Sequence, residues 1–475
     1  MFRRRPVLTV CVITLGIVLR LLFVLLYPSI TDDSRVYSDL GTNLYKHHLY
    51  GYGPAVSAIV GYPAPLTQVV PVDSRLPGYP ALLALLFMLF GAGNYMAVFL
   101  CQVALDLGTC ILIADVGKRI ISERAGYTVF VLSAFCPFLA NYTAVALTET
   151  LETFATALVL ECTAGGITAV LHGQKAMWWW IGAGVSTAGC IMIRPDGGIV
   201  LISVLLFLLV AGWFARTERA RVVAIGMAAG VVTTIALLPL VPWTLRNVRT
   251  MHHLQMLAPR YATTPGMLEM DGFNRWVRTW IGDYASVVDL YWAVPGSPIE
   301  ARALPGRAFD SEREREVTLQ LISEYNVSTA MTSELDMRFA ALAAERVRRH
   351  PFRYYFSMPG LRIADMWLRP RTEMMFSNTR WWRFTNPIVA SVTVGLGLLN
   401  LFYLGAASVG LLTRRISPTY LVLLLTFVVL RSGIVAMLVP PEPRYVLECY
   451  PVALLLAATA FDSGVRQADE QARGE

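Results

Sequence analysis

The sequence predicts an all-α polytopic membrane protein carrying an extracytoplasmic cap, and three observations support that class. Of 475 residues, 55% are hydrophobic and 15% charged, and the mean hydropathy is +0.53, which is too apolar for a soluble globule. Ten apolar stretches are long enough to be membrane helices. The basic residues lie in short clusters between those stretches, the pattern of a multi-pass chain.

The first stretch, 7–26, follows Arg3, Arg4 and Arg5. No small-residue cleavage site follows Tyr27-Pro28, so it is expected to remain as a crossing helix. Further spans are expected at 95–116, 125–142, 148–171, 177–193, 195–214, 222–243, 387–412, 418–439 and 444–462. With the N-terminus in the cytoplasm of a plasma (bacterial inner) membrane, Lys118, Arg119, Arg124, Lys175, Arg216, Arg219, Arg221, Arg414 and Arg415 all fall on the cytoplasmic side. The stretch 77–90 (PGYPALLALLFMLF) is short and opens with two prolines. Counting it as a crossing would move two basic clusters outside, so it reads as an interfacial or re-entrant helix within a first outer loop, 27–94.

A second long outer region, 244–385, is rich in Trp, Tyr, Pro and Arg. It contains an amphipathic helical stretch, Ser333 to His350, with Leu335, Phe339, Leu342 and Val347 near helical spacing. The expected organisation is a transmembrane module over 1–243, a cap over 244–385, C-terminal helices over 386–462 and a cytoplasmic tail over 463–475. The net charge of +7 does not point to nucleic acid, because the basic residues follow the positive-inside pattern. The seven cysteines lie mostly in apolar segments without a C-x-x-C, and read as small buried hydrophobes.

Four arginines break the positive-inside pattern: Arg75, Arg194, Arg246 and Arg444. Each lies beside an outer membrane boundary, and guanidinium groups recognise phosphate with several directed N–H bonds, so together they suit a phospholipid-like headgroup. The alternative is snorkelling toward lipid headgroups. Arg431 sits within a span and needs a partner, with Asp106 or Glu161 on other spans available. The outer acidic candidates are Asp32, Asp33, Asp73, Glu149, Glu152, Asp196 and Glu442. A carboxylate near an apolar boundary suits a general base, although Asp32 and Asp33 also suit the capping of a helix over Ser34 to Tyr45. The pairs His47-His48 and His252-His253 make poor bidentate metal sites, since adjacent side chains diverge. No Walker motif, dinucleotide fingerprint or nucleophile elbow is present, so a donor already activated in the membrane is expected.

Six strings, TDDSRVYSDLGTNLY, SRLPGYPALLALLFMLFG, NYTAVALTETLETF, GAGVSTAGCIMIRPDGG, LPLVPWTLRN and PPEPRYVLECYPVALLLAA, resemble in that order the bacterial glycosyltransferase family 39. These are GT-C membrane enzymes related to the protein O-mannosyltransferases and to the aminoarabinose transferase of lipid A. The resemblance covers about the first 250 residues and the last 40, and the cap only loosely. It implies a GT-C fold, a polyprenyl-phosphate-linked sugar donor, an extracytoplasmic active site and inversion at the transferred carbon. It also implies a base or acceptor-orienting Asp in the first outer loop. A Tyr four residues on selects Asp33 with Tyr37, while an Arg three residues on would select Asp32 with Arg35. Arg75 before Leu76-Pro77 stands where relatives carry a donor-phosphate Lys before Pro-Pro, a departure that leaves the sugar open. The oligosaccharyltransferases' soluble C-terminal domain has no counterpart, which argues against transfer of a whole glycan to an Asn sequon.

The expected reaction is therefore glycosyl transfer to an acceptor hydroxyl or amine. Asp33, or else Asp32, is the general base, and Arg75, Arg246, Arg444 and Arg194 bind the donor phosphate. Tyr37, Arg35, Glu149 and Glu442 contact substrate. No cofactor is required, though an Asp32–Asp33 pair is able to hold a divalent cation. Lipid, polysaccharide or protein acceptors and the surrounding membrane lipids are the expected partners. The rival reading is a lipid-linked-sugar flippase or transporter, suggested by the intramembrane charges Asp106, Glu161 and Arg431.

Overall fold

In lipid, a backbone can satisfy its polar groups only within a helix or a closed barrel, and the apolar stretches of this chain form helices. The computed structural model describes residues 6–62, 64–259, 261–263, 267–375, 379–384, 386–413 and 415–462. Arg3, Arg4, Arg5, Arg414 and the tail 463–475 lie outside the described residues. The first part contains α1 (Pro6–Leu26), α2 (Asp32–His47), a two-stranded antiparallel ribbon of β1 (Gly51–Tyr52) and β2 (Val70–Pro71), and α3 (Gly78–Phe90). It continues through α4 (Tyr95–Ile120), α5 (Glu123–Ala134), α6 (Pro137–Tyr142), α7 (Glu149–Leu171) and α8 (Met177–Ile193) to α9 (Gly198–Phe214), α10 (Arg219–Leu237) and α11 (Leu240–Met251). The cap comes next as α12 (Asp271–Arg278), the single turn α13 (Tyr284–Ser286), α14 (Glu312–Ser328), α15 (Ser333–Arg349) and α16 (Met358–Leu368). The chain then returns as α17 (Pro387–Leu412), α18 (Pro418–Ala436) and α19 (Tyr450–Ala460).

Among the described residues, seven segments are long and apolar enough to cross a membrane: α1, α4, α7, α9 with its preceding turn, α10 joined to α11, α17 and α18. The chain is a multi-pass membrane protein. Three of the ten expected crossings take another form. The stretch 125–142 divides into α5 and α6, because Pro137 has no N–H and holds Cys136 extended, at φ −73° and ψ 106°. The stretch 177–193 is a helix of 17 residues. The stretch 444–462 opens as a 3-10 turn, Pro443–Cys449, before the 11 residues of α19. Every residue from Tyr450 to Thr459 is buried, so α19 is sheathed by protein and need not span lipid by its own length. The central helix is α7, with 78% of its most apolar window buried.

The site lies at the bundle end where α1, α8 and α18 finish and α4, α7 and α19 begin. The basic clusters collect at the other end, where Arg119 meets Glu161 at 2.9 Å, Arg221 donates to the Leu171 carbonyl at 3.2 Å and Arg415 meets Asp462 at 3.4 Å. α3 has 13 residues, a length of about 20 Å at 1.5 Å per residue, against a hydrocarbon core of about 30 Å. It packs on α2 and leaves Leu85, Met88, Leu89 and Phe90 exposed.

The cap has its own core of Phe273, Trp276, Trp280, Tyr325, Phe339 and Leu342. α15 forms as expected, but its buried stripe ends on Arg346 instead of Val347. Arg346 donates to the carbonyls of Ala308 (2.7 Å) and Arg307 (3.0 Å) and pairs with Asp310 (3.3 Å) and Glu314, so the buried charge is fully partnered. Through Arg362 the cap is tied to the bundle: its guanidinium donates to Ile281 O (2.8 Å), Arg278 O (2.5 Å) and Ala436 O at the end of α18 (3.0 Å).

Candidate active site

The helix that carries Asp33 starts with a reciprocal cap. The Thr31 hydroxyl accepts from Ser34 N at 3.2 Å, and Ser34 Oγ accepts from Thr31 N at 3.1 Å. Thr31 is thus the cap, while Asp32 and Asp33 occupy the first turn, where negative charge suits the helix dipole. Two glycines allow α2 and α3 to reach their places. A Cβ on Gly41 would stand 2.9 Å from Leu83 Cβ, and one on Gly78 would stand 2.6 Å from the Met192 carbonyl oxygen at the end of α8. Arg75 lies just before α3, on a loop held by Tyr50, whose hydroxyl donates to the Arg75 carbonyl at 3.0 Å, and by Tyr52–Ser74 at 2.6 Å.

Asp33 stands between two guanidiniums. Its Oδ1 meets Arg75 Nη2 at 3.3 Å, and its Oδ2 meets Arg444 Nη2 at 2.9 Å. Burial by itself would raise the Asp33 pKa, but Arg444 and Arg75 outweigh it and hold the carboxyl at about 2. The Asp33 side chain is still 31% exposed, so the ionised carboxylate remains accessible from outside the cluster. Behind it the charges alternate. Arg444 Nε lies 2.7 Å from Glu442 Oε2 and 3.6 Å from Glu149 Oε1. Glu149 also meets Arg194 Nη1 at 3.3 Å, and Arg194 Nε meets Asp196 at 3.1 Å. Arg431 closes the series, 3.0 Å from both Asp196 and Glu448. The Tyr445 ring lies under both Arg194 (4.9 Å) and Arg444 (5.5 Å), and its hydroxyl donates to Glu442 at 2.7 Å. Burial pushes the Glu442 carboxyl up despite the neighbouring Arg444.

Of the sequence candidates, the structure brings together Asp33, Arg75, Arg444, Arg194, Glu149 and Glu442. Tyr37 packs edge-on against Tyr79 at 5.3 Å, with its phenol raised to about 12 by burial. Asp32 and Arg35 are not part of the cluster; they pair with each other at 3.4 Å on the surface. Asp32 and Asp33 therefore do not share one binding position, and among the described residues no three His, Cys, Asp or Glu are grouped for a metal. Arg246 is also elsewhere. Its terminal nitrogens donate to the carbonyls of Val72 (2.7 Å) and Tyr50 (2.5 Å), bracing the loop that carries Arg75. The expected partners of Arg431 are corrected: Asp106 pairs with Arg20 at 2.6 Å and Glu161 with Arg119, so Arg431 takes Asp196 and Glu448. Glu448 and Arg20 were missed by sequence reasoning; the signal for each was a charge inside an apolar run. Glu152, one turn into α7 from Glu149, is fully buried, and among the described residues neither of its carboxyl oxygens has a hydrogen-bond partner.

Known proteins share parts of this architecture. Residues 71–243 match the family described as dolichyl-phosphate-mannose-protein mannosyltransferase. No curated protein sequence matches the chain. The archaeal oligosaccharyltransferase AglB of Archaeoglobus fulgidus, solved with an inhibitory peptide and a dolichol-phosphate, is similar with a TM-score of 0.52 at 13% identity, over 100% of this chain and 53% of that one. A second oligosaccharyltransferase structure from that organism, tethered to an acceptor peptide containing an NVT sequon, gives a TM-score of 0.50 at 13% identity, over 95% and 49%. ArnT from Cupriavidus metallidurans, bound to undecaprenyl phosphate, gives 0.37 at 15% identity, over 95% and 77%. The chain spans about half the length of the oligosaccharyltransferases it matches. The fold is that of the GT-C membrane glycosyltransferases.

Proposed function

We propose that the chain is an integral membrane glycosyltransferase that moves a sugar from a polyprenyl-phosphate-linked donor to an acceptor hydroxyl or amine, with Asp33 as general base. The observation that carries this reading is the partly exposed Asp33 carboxylate held between Arg75 and Arg444. The dolichol-phosphate of the structurally similar AglB and the mannosyltransferase family match over 71–243 support the donor class. Keeping the basic clusters in the cytoplasm puts the site at the extracytoplasmic face of the bacterial inner membrane, with the N-terminus cytoplasmic.

In the reaction, the acceptor oxygen attacks the sugar C1 while its proton passes to Asp33, and the bond from C1 to the phosphate oxygen breaks. Attack from the face opposite the leaving group inverts C1. Arg75 and Arg444 meet the charge that grows on the departing polyprenyl phosphate. The same two guanidiniums hold Asp33, so an arriving phosphate competes with the carboxylate for them. That competition releases Asp33 and raises its basicity at the moment an acceptor needs it. Arg194 and Glu149 hold Arg444 in place from behind. The charges that suggested transport are otherwise engaged, Asp106 by Arg20 and Glu161 by Arg119.

The test is whether membranes carrying the protein consume a radiolabelled polyprenyl-phosphate sugar and release the lipid phosphate. Full consumption by Asp33→Asn would remove the base from this account, and transbilayer movement of the donor without cleavage would favour the flippase.

A further inference from the structure

A second concave feature lies in the cap, apart from the charge cluster. It is a cavity of about 210 Å³ bordered by Trp280, Trp382, Asp283, Asp289, Arg307 and Arg380, with Glu300 at its edge. Asp283 pairs with Arg307, and Asp289 with Arg380 at 2.8 Å. Trp280 is 1% exposed and its Nε1 has no hydrogen-bond partner among the described residues, while Trp382 is 50% exposed.

These walls select a class of ligand. Two guanidiniums against three carboxylates leave a net negative charge, which disfavours phosphate or another anion. Both aspartates are already paired with arginines, and among the described residues none of the acidic groups is arranged for a metal ion. What remains is a neutral ring bearing many hydroxyls. Planar carboxylates accept from, and guanidinium forks donate to, neighbouring hydroxyls. The exposed indole face of Trp382, negative at its centre, attracts the weakly positive C–H bonds on the flat side of a pyranose. The volume is below the roughly 300–1,000 Å³ typical of drug-sized sites and suits one such ring.

We propose that this cavity is a saccharide subsite that holds one sugar ring of a glycan acceptor. The role as acceptor subsite rests on the glycosyltransferase reading; saccharide binding itself does not. A short run of contacts links the two places. Tyr284 directly precedes the cavity residues Ala285 and Ser286, Arg369 lies over its ring at 5.2 Å, and Arg371, two residues on, donates to the Pro443 carbonyl beside Arg444 at 3.1 Å.

The experiment uses the full chain in lipid nanodiscs and saturation-transfer NMR with the methyl glycosides of mannose, glucose, galactose and N-acetylglucosamine. At least one glycoside is expected to bind, Trp382→Ala and Asp289→Asn each weakening it by about tenfold, the loss of one ring or hydrogen-bond contact. Asp33→Asn should leave that binding unchanged. In transfer assays the cavity variants should raise KM for the acceptor and leave KM for the donor alone. A change confined to the donor KM would assign the ring to the donor and overturn the acceptor role. Failure of all four glycosides to bind, equal binding in both cavity variants, or displacement by a Ser/Thr peptide and not by a disaccharide would overturn the subsite. Transfer surviving in Asp33→Asn would instead remove the catalytic reading and leave saccharide binding standing.

Discussion

Arg444 and Arg75 outweigh the cost of burying Asp33 and hold its carboxyl at about 2, below its ordinary 3.8. Its folded pKa is depressed, so its contribution to stability is complete above about 3.8 and is lost as pH falls through about 2. If a donor phosphate draws the two arginines away, the pKa of Asp33 rises in the complex. The acid limb of kcat is therefore expected at higher pH than that of kcat/KM for the donor, which pH profiles of both constants would check; coincident limbs would count against the displacement. Asp33→Asn should lower kcat by roughly 10²–10⁴, the range for a lost general base, while Asp32→Asn, on an exposed pair, should stay near wild type. Arg75→Ala and Arg444→Ala should weaken donor binding and lower the rate at saturating donor by about ten- to a thousandfold, with partial rescue by Lys, which keeps the charge and loses the fork. Wild-type constants in both alanine variants would move the phosphate site toward Arg194.

Helix packing sets where these side chains stand. α2 approaches α3 at Gly41, where an added Cβ meets Leu83 Cβ at 2.9 Å and the Pro80 carbonyl at 3.0 Å. Gly41→Ala must push α2 outward, at about 1–3 kcal/mol for overpacking, and Asp33 on the same helix moves with it. The expected outcome is a lowered melting temperature together with a fall in kcat, read by thermal shift and by the transfer assay. A stable Gly41→Ala protein with normal kcat would mean that α2 and α3 need not touch for catalysis. The broken 125–142 segment also serves placement: Pro137 ends one helix and starts another, and the resulting bend carries Tyr142 to the site end, where its hydroxyl donates to Glu373 at 3.2 Å.

The whole molecule is polar about the membrane, with basic clusters at one end and the cap and charge cluster at the other. A cysteine introduced into the cap, for example at Ser328, is expected to react with a membrane-impermeant thiol reagent added to intact cells. One introduced at Arg216 should not. The reverse pattern would invert the orientation and place the site in the cytoplasm. Arg362 ties α16 to the end of α12, to Ile281 beyond it and to α18 of the bundle by three carbonyl contacts, so the cap is a fixed roof at that corner.

Local pattern along the chain was enough to specify seven of the ten expected membrane helices and to nominate most of the candidate site. Uninterrupted apolar runs become helices because lipid offers the backbone no other partner, and the length and opening prolines of 77–90 mark a helix too short to cross. Charges at span ends singled out Asp33, Arg75, Arg194, Arg444, Glu149 and Glu442, because such groups are costly there and need a reason. Which of them meet was settled by the packing of the folded chain. Arg246 looks like its fellows in sequence yet spends its donors on loop carbonyls, and Arg431 finds Asp196 and Glu448 instead of Asp106 or Glu161. Pairing depends on distances between helices far apart in the chain, which no local pattern encodes. The cap cavity, assembled from residues 280–307 and 380–382, was invisible in sequence for the same reason.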